Sequence, residues 1–427
     1  MTNLNQTPTG ERVHIAIFGR RNAGKSSLVN ALAGQPVAIV SDVPGTTTDP
    51  VSKAMELLPL GPVVLIDTAG IDDVGALGEL RIKQTMQVLE RTDVALLVVD
   101  ATETPGAFEE GLLDKIKARN QAALVVANKM DLRADAGGLE AWARARGIGL
   151  VAVSAVSGQN VEELKRAIID VAPSSLSEPA LVGDMLSPGD VVVLVVPIDK
   201  AAPKGRLILP QVMTIRDVLD HDAVALVVKE RELKSALETL GKRPRLVVTD
   251  SQAFLKVAAD TPRDVPMTGF SILMARYRGD LEAFVAGARA LKDLRPGKRV
   301  LISEGCTHHK QADDIGSVQI PRWLRQMVGG DLEFGHSSGL AFPDDVGSYD
   351  LVVHCGACTL NRREVMSRQR QAREKGVPMT NYGIVLAYVH GILDRALEPF
   401  PLAHLAWKGA VEAEKPVRPV RLARVTG

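Results

Sequence analysis

A chain of 427 residues, 46% apolar and 24% charged, is long enough for two or three domains that each bury a core. Its 51 basic and 51 acidic side chains cancel and aromatics make up only 4%, which argues against wholesale nucleic-acid binding and against base-stacking surfaces. No apolar run reaches membrane-spanning length, residues 1–12 lack the apolar centre of a secretory signal, and three unevenly placed cysteines do not suit a disulfide framework. A cytoplasmic protein is expected, with neither membrane nor nucleic acid as partner.

From about Glu11 to Ala172, apolar strands alternate with amphipathic helical segments. His14–Phe18, Val63–Ile66, Ala95–Val99, Ala123–Ala127 and Gly149–Val153 read as buried strands. Such alternation predicts a parallel sheet covered on both faces. Pro173 to Ser187 has the composition of a linker. Val191–Val196, Ala223–Val228 and Leu246–Thr249 begin a second α/β unit, with helical patterns near Thr214–Leu219 and Glu230–Leu240. Thr261–Pro266 reads as another boundary. A third unit has strands at Arg299–Ser303 and Leu351–His354, with helices near Gly279–Leu291, Arg362–Lys375 and Ile384–Ala396. The expected division is 1–173, 174–264, 265–407, and a mobile polar tail over 408–427.

Gly19-Arg20-Arg21-Asn22-Ala23-Gly24-Lys25-Ser26 fits G-x-x-x-x-G-K-S between a strand and the helical pattern Ser27–Leu32. Backbone N–H groups across Asn22, Ala23, Gly24 and Ser27 are expected to wrap the phosphates at a helix N-terminus. Lys25 reaches the β- and γ-phosphates, and Ser26 offers its hydroxyl to Mg²⁺. Asp67-Thr68-Ala69-Gly70 follows the next strand, so Asp67 can hold Mg²⁺ through water, with Gly70 among the nucleotide contacts. Asn128-Lys129-Met130-Asp131 ends a further strand. The Asp131 carboxylate can accept from the guanine N1–H and 2-amino group, donors that adenine lacks. Ser154 and Ala155, after the following strand, contact the base through backbone. Four elements in order at strand ends specify a GTP site and GTP hydrolysis.

These residues resemble the Era/TrmE-like group of GTPases, including the switch segment Pro44-Gly45-Thr46-Thr47-Thr48-Asp49. The resemblance implies that Thr47 joins the Mg²⁺ shell. Ile71 stands where Ras-like enzymes carry the water-orienting glutamine, and its apolar side chain cannot orient water. Asn22 occupies the position that, in potassium-activated relatives, helps bind a K⁺ ion beside the phosphates. Glu79, by its spacing from Gly70, is the candidate for orienting water; its competing reading is a solvated acid on a helix.

The three cysteines lie in Cys306-x-His308 and His354-Cys355-x-x-Cys358. Both groups follow the carboxyl end of an expected parallel strand, where residues distant in sequence converge. Gly356 is expected to let the backbone approach a metal. Three thiolates suit an iron–sulfur cluster with one position lacking cysteine; a Cys₃His zinc site is the rival. His308, His309 and His354 are candidate fourth ligands, and Asp313 or Asp314 could supply an exchangeable carboxylate.

The whole pattern resembles the FeFe-hydrogenase maturation GTPases, the HydF family. That resemblance implies a middle dimerisation domain, hence a homodimer, and a domain carrying a 4Fe–4S cluster on Cys306, Cys355 and Cys358. It further implies a scaffold that receives a di-iron subcluster precursor made with two radical-SAM maturases and delivers it to apo FeFe-hydrogenase. GTP hydrolysis would time the exchange of partners. Two other readings compete: a zinc-containing Era-type RNA or ribosome assembly GTPase, and a regulatory GTPase that senses its cluster.

Overall fold

Strands dominated by valine, isoleucine and leucine set the architecture, because segments apolar on both faces must be covered on both sides. A computed structural model describes residues 7–35, 51–68, 76–133, 135–173, 179–197, 207–305 and 314–409, with helix side chains omitted for 76–81. The chain divides into two compact units, one of residues 1–178 with Asn361–Glu364 and one of the remainder.

The first unit holds a six-stranded sheet in the order β2-β3-β1-β4-β5-β6. Its strands are β1 (Val13–Phe18), β2 (Val51–Leu57), β3 (Gly61–Asp67), β4 (Val94–Asp100), β5 (Ala122–Asn128) and β6 (Gly149–Ala152). All pairings are parallel except β2 with β3. Side chains alternate across β1. Ile15 and Ile17 enter one core with Leu28 of α1 (Lys25–Ala33). Ala16 and Phe18 enter the other, with Leu89 of α2 (Ala76–Glu90) and Ile116 of α3 (Ala107–Ala118). The expected P-loop GTPase class is therefore observed, with an antiparallel edge strand, β2, that the sequence reading did not include.

The second unit holds two four-stranded parallel sheets. One, ordered β10-β9-β7-β8, comprises β7 (Val191–Val195), β8 (Val224–Val228), β9 (Leu246–Thr249) and β10 (Met267–Gly269). The other, ordered β12-β11-β13-β14, comprises β11 (Arg299–Ser303), β12 (Glu333–Ser337), β13 (Leu351–His354) and β14 (Met379–Asn381). β10 lies past the expected boundary at 264, so that boundary falls within a sheet. One apolar core runs through both sheets, from Leu181 to Ala406. Arg395 also ties them together: its guanidinium donates to the carbonyls of Ala258, Thr261 and Pro262.

Three local expectations are corrected. The later part of the supposed linker is packed: Leu181 and Val182 are buried, and the Asp217 carboxylate accepts from the N–H groups of Val182 and Gly183. The single helix expected over Ile384–Ala396 is two, Tyr382–Val389 and Leu393–Leu397, separated at Gly391 with φ 69°. Lys408, expected to open the tail, ends the helix Pro401–Lys408 and pairs with Asp394; residues 410–427 lie outside the described residues.

Candidate functional sites

The carboxyl edge of the first sheet gathers Gly19, Asp67, Asp100 and Asn128, each at or just beyond the end of a strand. Gly24, with φ 85°, turns the chain into α1, whose first N–H groups have no helical carbonyl to bond. A side chain there would be strained and would collide with the Asn128 carboxamide. That carboxamide is a rivet: Nδ2 donates to Ala23 O (2.9 Å), and Oδ1 accepts from Ala155 N (3.0 Å). It thus fixes the phosphate loop against the base loop. Lys25 is buried and its ammonium donates to the carbonyls of Gly19 (3.0 Å) and Arg20 (2.7 Å). The Arg20 guanidinium in turn pairs with buried Glu109 of α3 at 2.8 Å.

Ser26 Oγ donates to Asp67 Oδ2 at 2.5 Å. The other oxygen, Asp67 Oδ1, is buried with no hydrogen-bond partner among the described residues. Burial pushes this carboxyl above its ordinary value, opposed by the Ser26 hydroxyl and the Lys25 charge. An orphaned buried acceptor beside a serine hydroxyl fits a hydrated Mg²⁺ ion, which would satisfy it.

At the base end, Asp131 is exposed, and its Oδ1 accepts from Ser154 Oγ at 2.5 Å. Lys129, held in a left-handed conformation (φ 67°), pairs with Asp100 at 2.7 Å. Burial would raise the Asp100 carboxyl, but its bonds to Lys129 and Thr102 hold it net below the ordinary carboxylate range. Asp100 was not singled out in the sequence, where it reads only as the last residue of a strand. Asn22 is exposed and left-handed (φ 61°) at the top of the phosphate loop. Thr47, Gly70 and Ile71 lie outside the described residues, as does the side chain of Glu79, which falls in α2.

The second candidate site lies at the carboxyl ends of β11 and β13. Cys355 N donates to Ser303 O (2.9 Å), extending the strand pairing by one residue. Its sulfur then accepts two backbone N–H groups, from Gly305 (3.0 Å) and Ala357 (3.3 Å). Thr359 Oγ1 donates to Gly305 O (3.0 Å), so the two loops are stitched in both directions. The turn's left-handed residue is Ala357 (φ 54°). A non-glycine residue there costs about 1–2 kcal/mol, which the surrounding bonds must offset. Neither Cys355 nor Cys358 is in a disulfide. Cys306, His308, His309 and Asp313 lie outside the described residues. Among the described residues no three His, Cys, Asp or Glu side chains form a metal-holding group. In the sequence Cys306 directly follows Gly305, whose N–H is bonded to Cys355 Sγ. Two partly exposed thiols, backbone donors on one of them and a third cysteine one residue away are a donor set that fits an iron–sulfur cluster.

His354 ends β13 fully buried, with Nδ1 2.9 Å from Cys355 O and Nε2 3.1 Å from Arg368 Nη1. Burial first, then the Arg368 charge, lowers its pKa to about 3 against the weaker pull of the Cys355 carbonyl, so the ring is neutral. Both ring nitrogens are thus engaged within the protein. Asp314 caps the helical turn at Ile315–Gln319, accepting from Ser317 N (2.7 Å) and Oγ (2.8 Å). Arg368, Glu304 and Tyr382 were missed in the sequence. Glu304 is buried and accepts from the Tyr382 hydroxyl at 3.3 Å. Burial and the negative groups at Cys355, Glu304 and Asp314 hold that phenol well above its usual pKa. Gly316 permits this packing, since a Cβ there would strike the Tyr382 hydroxyl and the Glu304 carboxylate.

Three family models match the chain. Residues 14–129 match the model described as 50S ribosome-binding GTPase. Residues 181–279 match the hydrogen maturase F dimerization domain, and 282–399 its tetramerization domain. Among curated proteins, the tRNA modification GTPase MnmE of Chromobacterium violaceum is 39% identical over 162 residues, covering 38% of this chain and 35% of that protein. GTPase Der of Thermomicrobium roseum is 40% identical over 190 residues, covering 40% of this chain and 41% of Der. The chain thus spans well under half the length of these relatives. Among solved structures, an Era variant of Aquifex aeolicus bound to GDP and aluminium fluoride covers 53% of this chain and 98% of its own, at 23% identity and a TM-score of 0.36. With two models specific to hydrogen maturase F matched in succession behind a GTPase domain, the chain belongs to the hydrogen maturase F family.

Proposed function

We infer that the protein is a GTP hydrolase and an iron–sulfur scaffold that takes part in the maturation of FeFe-hydrogenase. The observation that carries the reading is the convergence on Cys355. Its sulfur takes two backbone N–H bonds in a turn whose neighbour strand leads straight to Cys306. Cys306, Cys355 and Cys358 would hold a 4Fe–4S cluster, which when bound supplies an iron with a fourth position open to exchange. His354, with both ring nitrogens engaged, then acts beside the cluster rather than as its ligand; His308 and Asp313 remain the fourth-ligand candidates of the motif. The scaffold receives a di-iron precursor from radical-SAM maturases and passes it to apo-hydrogenase in the cytoplasm. Anaerobic reconstitution with iron and sulfide, followed by reduction and EPR, should give a 4Fe–4S signal. Stoichiometric zinc and no signal would turn the reading to a zinc-stabilised assembly GTPase.

At the nucleotide site, Lys25 and the N–H groups of the phosphate loop bind the phosphates, Ser26, Thr47 and Asp67 hold Mg²⁺, and Asp131 selects guanine. Gly70, Lys129 and Ala155 complete the nucleotide contacts, and Glu79 is the candidate for orienting water. The apolar Ile71 leaves hydrolysis slow, and K⁺ at Asn22 would stabilise charge as an arginine finger does elsewhere. Turnover in KCl should exceed that in NaCl by about tenfold or more, short of a full arginine finger's effect. Equal rates in the two salts would remove K⁺ from the mechanism.

Self-association fits the edge at β8, which ends its sheet among the described residues with Val224 52% and Val227 43% exposed. A sedimentation mass of one chain, with the cluster intact, would contradict a homodimer.

A further inference from the structure

Arg368 is the largest fully buried side chain among the described residues, 1% exposed, on the helix Arg362–Glu374 behind the cysteine turn. Its guanidinium donates to His354 Nε2 (3.1 Å), to Gly339 O (2.7 Å) and, at 3.4 Å, to Ser303 Oγ, while its plane lies over the Phe342 ring. Arginine has donors only and stays protonated in proteins. The His354 nitrogen facing it must therefore accept, which leaves the single ring proton on Nδ1. From there it is donated to the Cys355 carbonyl, 2.9 Å away. That carbonyl belongs to the residue whose sulfur collects the N–H groups of Gly305 and Ala357. A relay of fixed polarity thus runs from a buried cation, through one imidazole, to the backbone that aims a thiol.

We propose that Arg368 is a positioning residue for the cysteine site, locking His354 as the Nδ1–H tautomer and, through it, the turn that presents Cys355 and Cys358. The proposal rests on the cluster reading for its importance, but not for its first test. In the same arrangement the Nε2 lone pair of His354 is committed to Arg368 and withheld from iron, so the exchangeable position is left to other donors. Partners of this kind around metal ligands typically account for about 10–100-fold in metal affinity.

The first measurement is ¹⁵N NMR of the full-length, metal-free protein labelled on histidine rings, assigned with His354→Asn. The wild type should show His354 with one acceptor-type nitrogen and one protonated nitrogen. Arg368→Met should give averaged ring signals, and Arg368→Lys, which keeps charge and donors, should restore the wild-type pattern in part. After reconstitution, Arg368→Met and His354→Asn should each lower iron affinity by about tenfold or more. The double variant should be no worse than the poorer single, because both break one relay. An unchanged tautomer in Arg368→Met, or iron losses that simply add, would overturn the proposal. If circular dichroism shows that Arg368→Met does not fold, Arg368→Lys decides, and an averaged tautomer there sinks it. Failure of the wild type to take up iron would refute the cluster reading, while the metal-free measurement would still judge Arg368.

Discussion

Asp131→Asn is expected to cost the protein its GTP affinity and give it xanthosine triphosphate instead. In the proposed base site the carboxylate would accept from two guanine donors, and hydrogen bonds to a charged group contribute about 1.5–3 kcal/mol each. Setting an amide N–H against one of these donors and removing the charge from the bond to the other corresponds to roughly 3–6 kcal/mol, or about 10²–10⁴-fold in affinity. Xanthine replaces the 2-amino donor by a carbonyl, which an amide N–H can meet. The fold should be indifferent, because the amide oxygen still accepts from Ser154 Oγ, the contact that Asp131 Oδ1 makes now. Titration of the variant with both nucleotides checks the exchange. Retained tight GTP binding would remove Asp131 from base selection.

Cys355→Ala should abolish cluster reconstitution while Cys355→Ser separates the two duties of that sulfur. As a ligand of the proposed cluster the thiolate would be irreplaceable, so both variants should lose iron by well over the roughly 10–100-fold typical of an outer partner. As an acceptor it is replaceable. Alanine leaves the N–H groups of Gly305 and Ala357 without the sulfur they now bond, whereas serine offers them an oxygen. Leaving a buried donor unmet costs about 1–3 kcal/mol, less here because the site is partly exposed. Alanine should therefore lower the melting temperature more than serine. Iron analysis, EPR and thermal melts on both variants test the assignment, and normal cluster content in either would remove Cys355 from the ligand set.

The motifs of the proposed GTP site were legible because four of them follow a strand whose apolar run announces it, as with Asn128 after Ala123–Ala127. Strands β11 and β13 were read to the residue for the same reason. Strands β10 and β14 were not, since three residues such as Met267–Gly269 carry no period and form only because β9 lies alongside. Glu333–Ser337, half exposed at a sheet edge, has no apolar run to find. Arg368 was hidden differently. It is one of five arginines in a helix of very polar sequence, and such a helix reads as solvated around its whole circumference. Which arginine turns inward depends on the strands it covers, and that information is not local.

The single core from Leu181 to Ala406 has a bearing on how this half of the molecule can be taken apart. A cut at residue 264 would remove β10 from β9 and uncover Phe254 and Phe270, both buried in that core. Neither fragment would keep the apolar surface that the other now hides, and each would aggregate sooner than fold. Residues 179–409 should accordingly melt in one cooperative transition, with the sheet that bears β8 and the sheet that bears the cysteines losing structure at the same temperature.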